Sequence, residues 1–272
     1  AEITWGTPRS TGLSNEPSHF GAYLSLIFLP SVFLVLYRLK ISKQLRYLSF
    51  FLLITGLTCL IFTYSGTTVG IIGVIAIAFF AKRENISFKN VSFFLFFVFI
   101  FLLLMISTPE NYVIHQATSF MIGGTSWMGK YGGSIGPLLM LPETYNVFGY
   151  GLGGTHVNIR SILPPDFVEY MYIISREHSM VLKTLIGRII AETGILGLII
   201  FLTCFFTAFK KVKELDGITK KVVQPILWGV LMAFFSGNVG SFAHPIGWFW
   251  LAYVEFAQRE KEISLKSKTD NR

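Results

Sequence analysis

Apolar residues gather in long runs along this chain, and charged residues gather in short clusters between the runs. A helix that crosses about 30 Å of hydrocarbon, rising about 1.5 Å per residue, needs roughly 20 mostly apolar residues. Seven runs approach that length, over 21–37, 47–64, 66–81, 91–107, 188–209, 222–238 and 242–257, and the fourth, VSFFLFFVFIFLLLMIS, is the plainest. Two pairs read as tight hairpins. The second and third runs are parted by Ser65-Gly66, and the sixth and seventh by Gly237, Asn238 and Gly240, residues suited to sharp reversals. The pattern predicts an all-α, polytopic transmembrane bundle. Its parts are a first membrane half within 1–107, an extracytoplasmic loop domain over 108–187, a second membrane half over 188–257 and a basic tail over 258–272.

Composition agrees with lipid as the main solvent: 52% of the 272 residues are hydrophobic and only 14% are charged. The net charge of +8 does not point to nucleic acid, because the lysines and arginines alternate with the apolar runs. Four of them (Arg38, Lys40, Lys43, Arg46) lie between runs one and two, three between three and four, five between five and six, and five in the tail. Short cytoplasmic loops collect basic residues. Those seventeen of 23 therefore set the loops they occupy, and the tail, on the cytoplasmic side, and leave the first residues outside. The six others, Arg9, Lys130, Arg160, Arg176, Lys183 and Arg188, fall on the outer side or at its membrane boundary. A chain that begins outside on a polar stretch, with no signal-peptide pattern, leads us to expect further spans upstream of Ala1. Cys59 and Cys204 sit inside apolar runs, where a thiol serves as a small hydrophobe.

The outer segment 108–187 is where the chain has room for an aqueous-facing domain, with glycine-rich stretches IGGTSWMGKYGGSIG and FGYGLGG and expected short helices near 137–142 and 167–175. All five histidines, His19, His115, His156, His178 and His244, fall on the outer side, together with Arg9, Glu16, Arg160, Arg176, Arg188 and Glu192. Arg188 and Glu192 stand at i and i+4 at the outer end of the fifth run, where ionisable groups are costly and face a partner or a cavity. The pair reads either as an interfacial salt bridge or as an anion ligand beside a carboxylate. His156 and His178 read either as solvated loop histidines or as titrating groups of a site. The opening RSTGLSNEPSHFG, with Arg9, Glu16 and His19, reads either as a second cluster of such groups or as a capping device, with the helix starting about Pro17. The glycines of FGYGLGG are followed by no GK[ST], so packing at a loop–membrane junction is the better reading than nucleotide binding. The sequence holds no P-loop, Asp-x-Asp pair, zinc spacing or HExxH. An enzyme acting outside the cell with these residues needs a substrate that carries its own activated leaving group, and a lipid-linked diphosphate sugar does.

The opening RSTGLSNEPSHFG, the hairpin TYSGTTVGIIG, the VFGYGLGG segment and the AETGILGLIIF entry into a span resemble the O-antigen polymerase and O-antigen ligase family of bacterial surface-polysaccharide assembly. The resemblance covers nearly the whole chain and rests on short apolar and glycine patterns. It implies a multi-pass enzyme of the bacterial cytoplasmic membrane that joins undecaprenyl diphosphate-linked repeat units into O-antigen, capsule or exopolysaccharide, alongside flippase and chain-length regulator proteins, without cofactor or metal. It further implies that Arg9, Arg160, Arg176 and Arg188, with His19 and His156, bind diphosphate or acidic sugar, and that His178, Glu192 or Glu16 acts as base or orients it. Arg176 and Gly187 match a spaced Arg-x10-Gly pattern of polymerases. Two features depart from the family: Ser65 is followed by Gly66-Thr67-Thr68 where many ligases and some polymerases carry an arginine, and His178 stands fourteen residues before Glu192 where ligases place a histidine about eight before. Transfer of the glycan to lipid A core or protein, and a lipid-linked oligosaccharide transporter, are the alternatives.

Overall fold

The computed structural model describes residues 2–4, 7–9, 17–38, 41–63, 65–81, 91, 92, 95, 133–144, 147–165, 168, 182, 184–215, 217–236 and 245–270. Apart from a short antiparallel hairpin of β1 (Glu2–Thr4) and β2 (Thr7–Arg9), its regular structure is helical. The helices are α1 (Pro17–Tyr23), α2 (Leu29–Arg38), α3 (Lys43–Ile61), α4 (Gly66–Phe80), α5 (Gly133–Thr144), α6 (Thr155–Ile162), α7 (Leu185–Val212), α8 (Gly217–Phe235) and α9 (Pro245–Asp270). Three helical stretches are long and apolar enough to cross a membrane: His19–Leu36, Leu185–Val212 and Gly217–Phe235. They carry the first, fifth and sixth of the apolar runs. The third run forms a shorter apolar helix, Thr68–Phe80, and the second forms α3, whose first turn holds Lys43 and Arg46. The fourth run lies almost wholly outside the described residues, as does the expected helix at 167–175. The helix expected near 137–142 is present as the longer α5. Large apolar side chains stand exposed on the helices, among them Phe51, Ile54, Ile77, Ile199 and Ile200. Water would penalise such surfaces and lipid does not.

The chain forms two units. The first comprises residues 1–95, 204–231 and 245–272. Its core holds Leu26, Ile71, Phe205, Val212, Leu227, Val230 and Trp250. Helices approach closely at small residues, the usual means of packing where hydrophobic exclusion from water supplies no drive. A Cβ on Gly21 would strike Thr68, one on Gly56 would strike Phe28 and Leu29, and one on Gly229 would strike Ile75 and Leu26. Between α1 and α2 the chain widens into a π-helical turn, Leu24–Phe28. Pro30 explains it, because the ring has no N–H to give the carbonyl of Leu26 and clashes with that carbonyl in a regular helix. The indole Nε1–H of Trp250 on α9 donates to the Leu26 carbonyl instead. The turn between α3 and α4 ends on Ser65, whose hydroxyl accepts from the backbone N–H of Thr68 at 3.4 Å and caps α4.

The second unit comprises residues 96–203 and 232–244. Within it, Thr184 caps α7 by accepting from the N–H of Gly187 at 3.2 Å. A Cβ on Gly187 would meet the backbone of Gly133 at the start of α5. The hydroxyl of Ser134 donates to the carbonyl of Phe235 at 2.9 Å. A small apolar cluster of Ile162, Leu163, Leu182 and Ala191, flanked by Tyr150 and Val168, packs beneath the loop that follows α5.

Candidate functional site

Helix α7 is broken in its N-terminal half. Gly194 adopts φ 68° and ψ −165°, a conformation essentially confined to glycine. A break in an apolar helix strands backbone groups that lipid cannot satisfy. Here the glycine-rich loop satisfies them: Tyr150 N–H donates to the Ala191 carbonyl at 2.8 Å, Gly151 N–H to the Glu192 carbonyl at 3.1 Å, and Leu196 N–H to the Val147 carbonyl at 3.2 Å. Thr193 adds its hydroxyl to the Ile189 carbonyl at 2.6 Å. Gly149, with φ 78°, lies so close to the backbone of Glu192 and Thr193 that a Cβ there would collide with both. The FGYGLGG segment is thus a fixed splint on the helix break.

The splint delivers Thr155, the first residue of α6, to Glu192. Glu192 is 3% exposed. Its Oε1 accepts from Thr155 Oγ1 at 3.0 Å, from Arg188 Nε at 3.2 Å and from Arg188 Nη2 at 3.0 Å. Three donors converge on one oxygen, and Oε2 accepts no hydrogen bond among the described residues. A buried carboxylate requires such compensation, because desolvation penalises its charge. The side chain of Arg188 is part-exposed, whereas that of Glu192 is buried. Held by one oxygen with the other available, the carboxylate is arranged to take a proton from a ligand hydroxyl, and the neighbouring guanidinium to receive an anion.

The i,i+4 pairing of Arg188 and Glu192 is therefore present as read from the sequence. Arg160 stands exposed on α6, a helix interrupted at Asn158 (φ −109°, ψ 15°), and carries no ion pair among the described residues. His156 follows Thr155 in the first turn of α6. His19 is half-buried on α1, in the other unit. Arg9 pairs through its backbone with Glu2 in the hairpin, and the helix after the opening segment does begin at Pro17. Glu16, Arg176 and His178 lie outside the described residues. Thr155 and Gly194 are the site residues that sequence reasoning missed, whereas Gly149 belongs to the FGYGLGG segment read from the sequence as packing. The signal available for Thr155 was its place directly after a glycine run, where a hydroxyl residue starts a helix.

These features, apolar helices of spanning length with a charged pair built into the end of one of them, are those of a helical membrane protein. Comparison with protein-family models, characterised proteins and solved structures finds no match to this chain.

Proposed function

We propose that this chain is a glycosyltransferase-type polysaccharide polymerase of the bacterial cytoplasmic membrane. It would span the bilayer about seven times, with its first residues outside and its C-terminus in the cytoplasm, and present the 108–187 segment to the outer face. In the reaction, the bond between the anomeric carbon of a growing glycan and its undecaprenyl diphosphate oxygen breaks. A sugar hydroxyl of an incoming lipid-linked repeat unit forms the new glycosidic bond and gives up its proton, and undecaprenyl diphosphate leaves. Diphosphate is a good leaving group, so the protein's task is to neutralise developing negative charge and remove one proton.

The observation that carries the reading is Glu192, a buried carboxylate fixed at one oxygen by Arg188 and Thr155. In this scheme Glu192 is the base and Arg188 a diphosphate ligand. Arg160 and Arg176 would add cations, and His178 a second titrating group. The sequence resemblance to O-antigen polymerases and ligases points the same way, and the absence of an arginine after Ser65 favours polymerase over ligase.

A transporter of lipid-linked oligosaccharide is the second reading, favoured by the break in α7, since broken helices at membrane depth are a transporter device. In that device the unwound carbonyls coordinate ions. Here the carbonyls of Ala191 and Glu192 are taken by loop N–H groups, which favours the enzyme. The test is complementation of a polymer-deficient bacterial host by the full-length protein. Wild type is expected to give a ladder of glycan lengths. Glu192→Gln and Arg188→Ala, at matched membrane abundance, are expected to leave single lipid-linked repeat units on the outer face. Full ladders from both variants would overturn the assignment.

A further inference from the structure

The turn between α7 and α8 carries lysines that form no ion pair among the described residues. Lys210, Lys213 and Lys221 are exposed and Lys220 is half-exposed, and none of the four has an ion pair among the described residues. Among the described residues, the carboxylates of Glu214 and Glu255 make contacts that involve α9. Glu255 binds Lys211 and, at 3.5 Å, Arg259, while Glu214 accepts from Gln258 at 2.6 Å through its side chain and from Lys261 through its backbone carbonyl. These contacts tie the turn to α9 and engage Glu214 with that helix. Tight backbone bonds, Lys213 N–H to Lys210 and Glu214 N–H to Lys211, both at 3.1 Å, hold the lysines in a short helical reversal.

Apolar surface continues from the same positions. Phe206 lies four residues before Lys210, hence on the same face of α7, and is 44% exposed. Trp228 lies two turns along α8 from Lys221 and is 39% exposed. Phe209 links the two, with ring centroids 6.0 Å from Phe206 and 4.9 Å from Trp228. Ammonium groups with no ion pair among the described residues, at the end of two apolar helices with exposed aromatic rings deeper along both, match an amphiphile with an anionic head and an acyl chain.

We propose that the α7–α8 turn is a binding site for anionic phospholipid, with the headgroup on Lys210, Lys213, Lys220 and Lys221 and an acyl chain against Phe206 and Trp228. The site is independent of the reading of Glu192. The experiment uses the full-length protein purified in neutral detergent, with thermal unfolding followed after adding phosphatidylglycerol or phosphatidylcholine. A ligand bound only by the folded state raises the midpoint, and phosphatidylglycerol is expected to raise it by about 5 °C more than phosphatidylcholine. That difference should vanish when the four lysines are changed together to glutamine, persist when they are changed to arginine, and fall for Trp228→Ala. If the glutamine variant fails to accumulate, salt decides on wild type: the difference should collapse in about 1 M NaCl, where the screening length is about 3 Å. Equal stabilisation by the two lipids, or a phosphatidylglycerol effect that survives both the glutamine variant and high salt, would overturn the proposal.

Discussion

At Pro30 the chain loses a backbone donor inside an apolar helix, and one side chain from far along the sequence replaces it. The proline was visible in the first run, but its consequence was not, because Trp250 lies 224 residues from Leu26 in sequence. Trp250→Phe keeps most of the packing and removes the N–H, so it should lower stability by about 1–3 kcal/mol, the range for orphaning a buried acceptor. Pro30→Ala restores an N–H four residues after Leu26, so in the double variant the loss at Trp250 should shrink. A double-mutant cycle of thermal unfolding checks this, and equal losses in both backgrounds would show that the indole bond is not what stabilises the turn. At Glu192 the same logic applies to Thr155. Thr155→Val removes one of three donors to Oε1 and should reduce polymer formation about tenfold, with recovery in Thr155→Ser. The Arg188–Glu192 pair was legible because helical spacing alone sets it. Thr155 was not, because its approach depends on how the loop folds back.

Helix α7 was legible as an apolar run, over 188–209 against the observed Leu185–Val212, while its break was not. Hydropathy averages over a window and carries no mark of a single residue at positive φ. The FGYGLGG segment was read as packing at a loop–membrane junction, but its pairing with residues 191–196 is a tertiary event that composition does not encode. The break and the splint should fail together. Gly194→Ala forces a side chain into a backbone region costing on the order of 1–3 kcal/mol. Gly149→Ala adds a collision with the backbone of Glu192 and Thr193. Each should lower the unfolding midpoint and expose the 147–155 segment to limited proteolysis, whereas alanine at Gly73, where a Cβ meets nothing within 4 Å, should leave both unchanged.

For the molecule as a whole, blocks of apolar residues made its helical, lipid-facing character plain, and three helices of spanning length bear that out. The count of seven rests on the apolar runs, and the orientation on the basic clusters between them. Span four gives no structural check, lying almost wholly outside the described residues. Orientation has its own test, in a background with Cys59 and Cys204 replaced by alanine. A cysteine at Leu152 should react with a membrane-impermeant maleimide in intact cells, and one at Lys213 only after the membrane is opened. Labelling of both from one side would contradict the proposed topology.

The proposed activity is tested most directly by reconstituting the full-length protein in proteoliposomes with undecaprenyl diphosphate-linked repeat units and following both glycan length and free undecaprenyl diphosphate. The account predicts that longer glycans appear together with the released lipid diphosphate, and that both are lost with Glu192→Gln. Repeat units that cross the bilayer without being joined, and without lipid diphosphate release, would contradict it and make this chain a transporter.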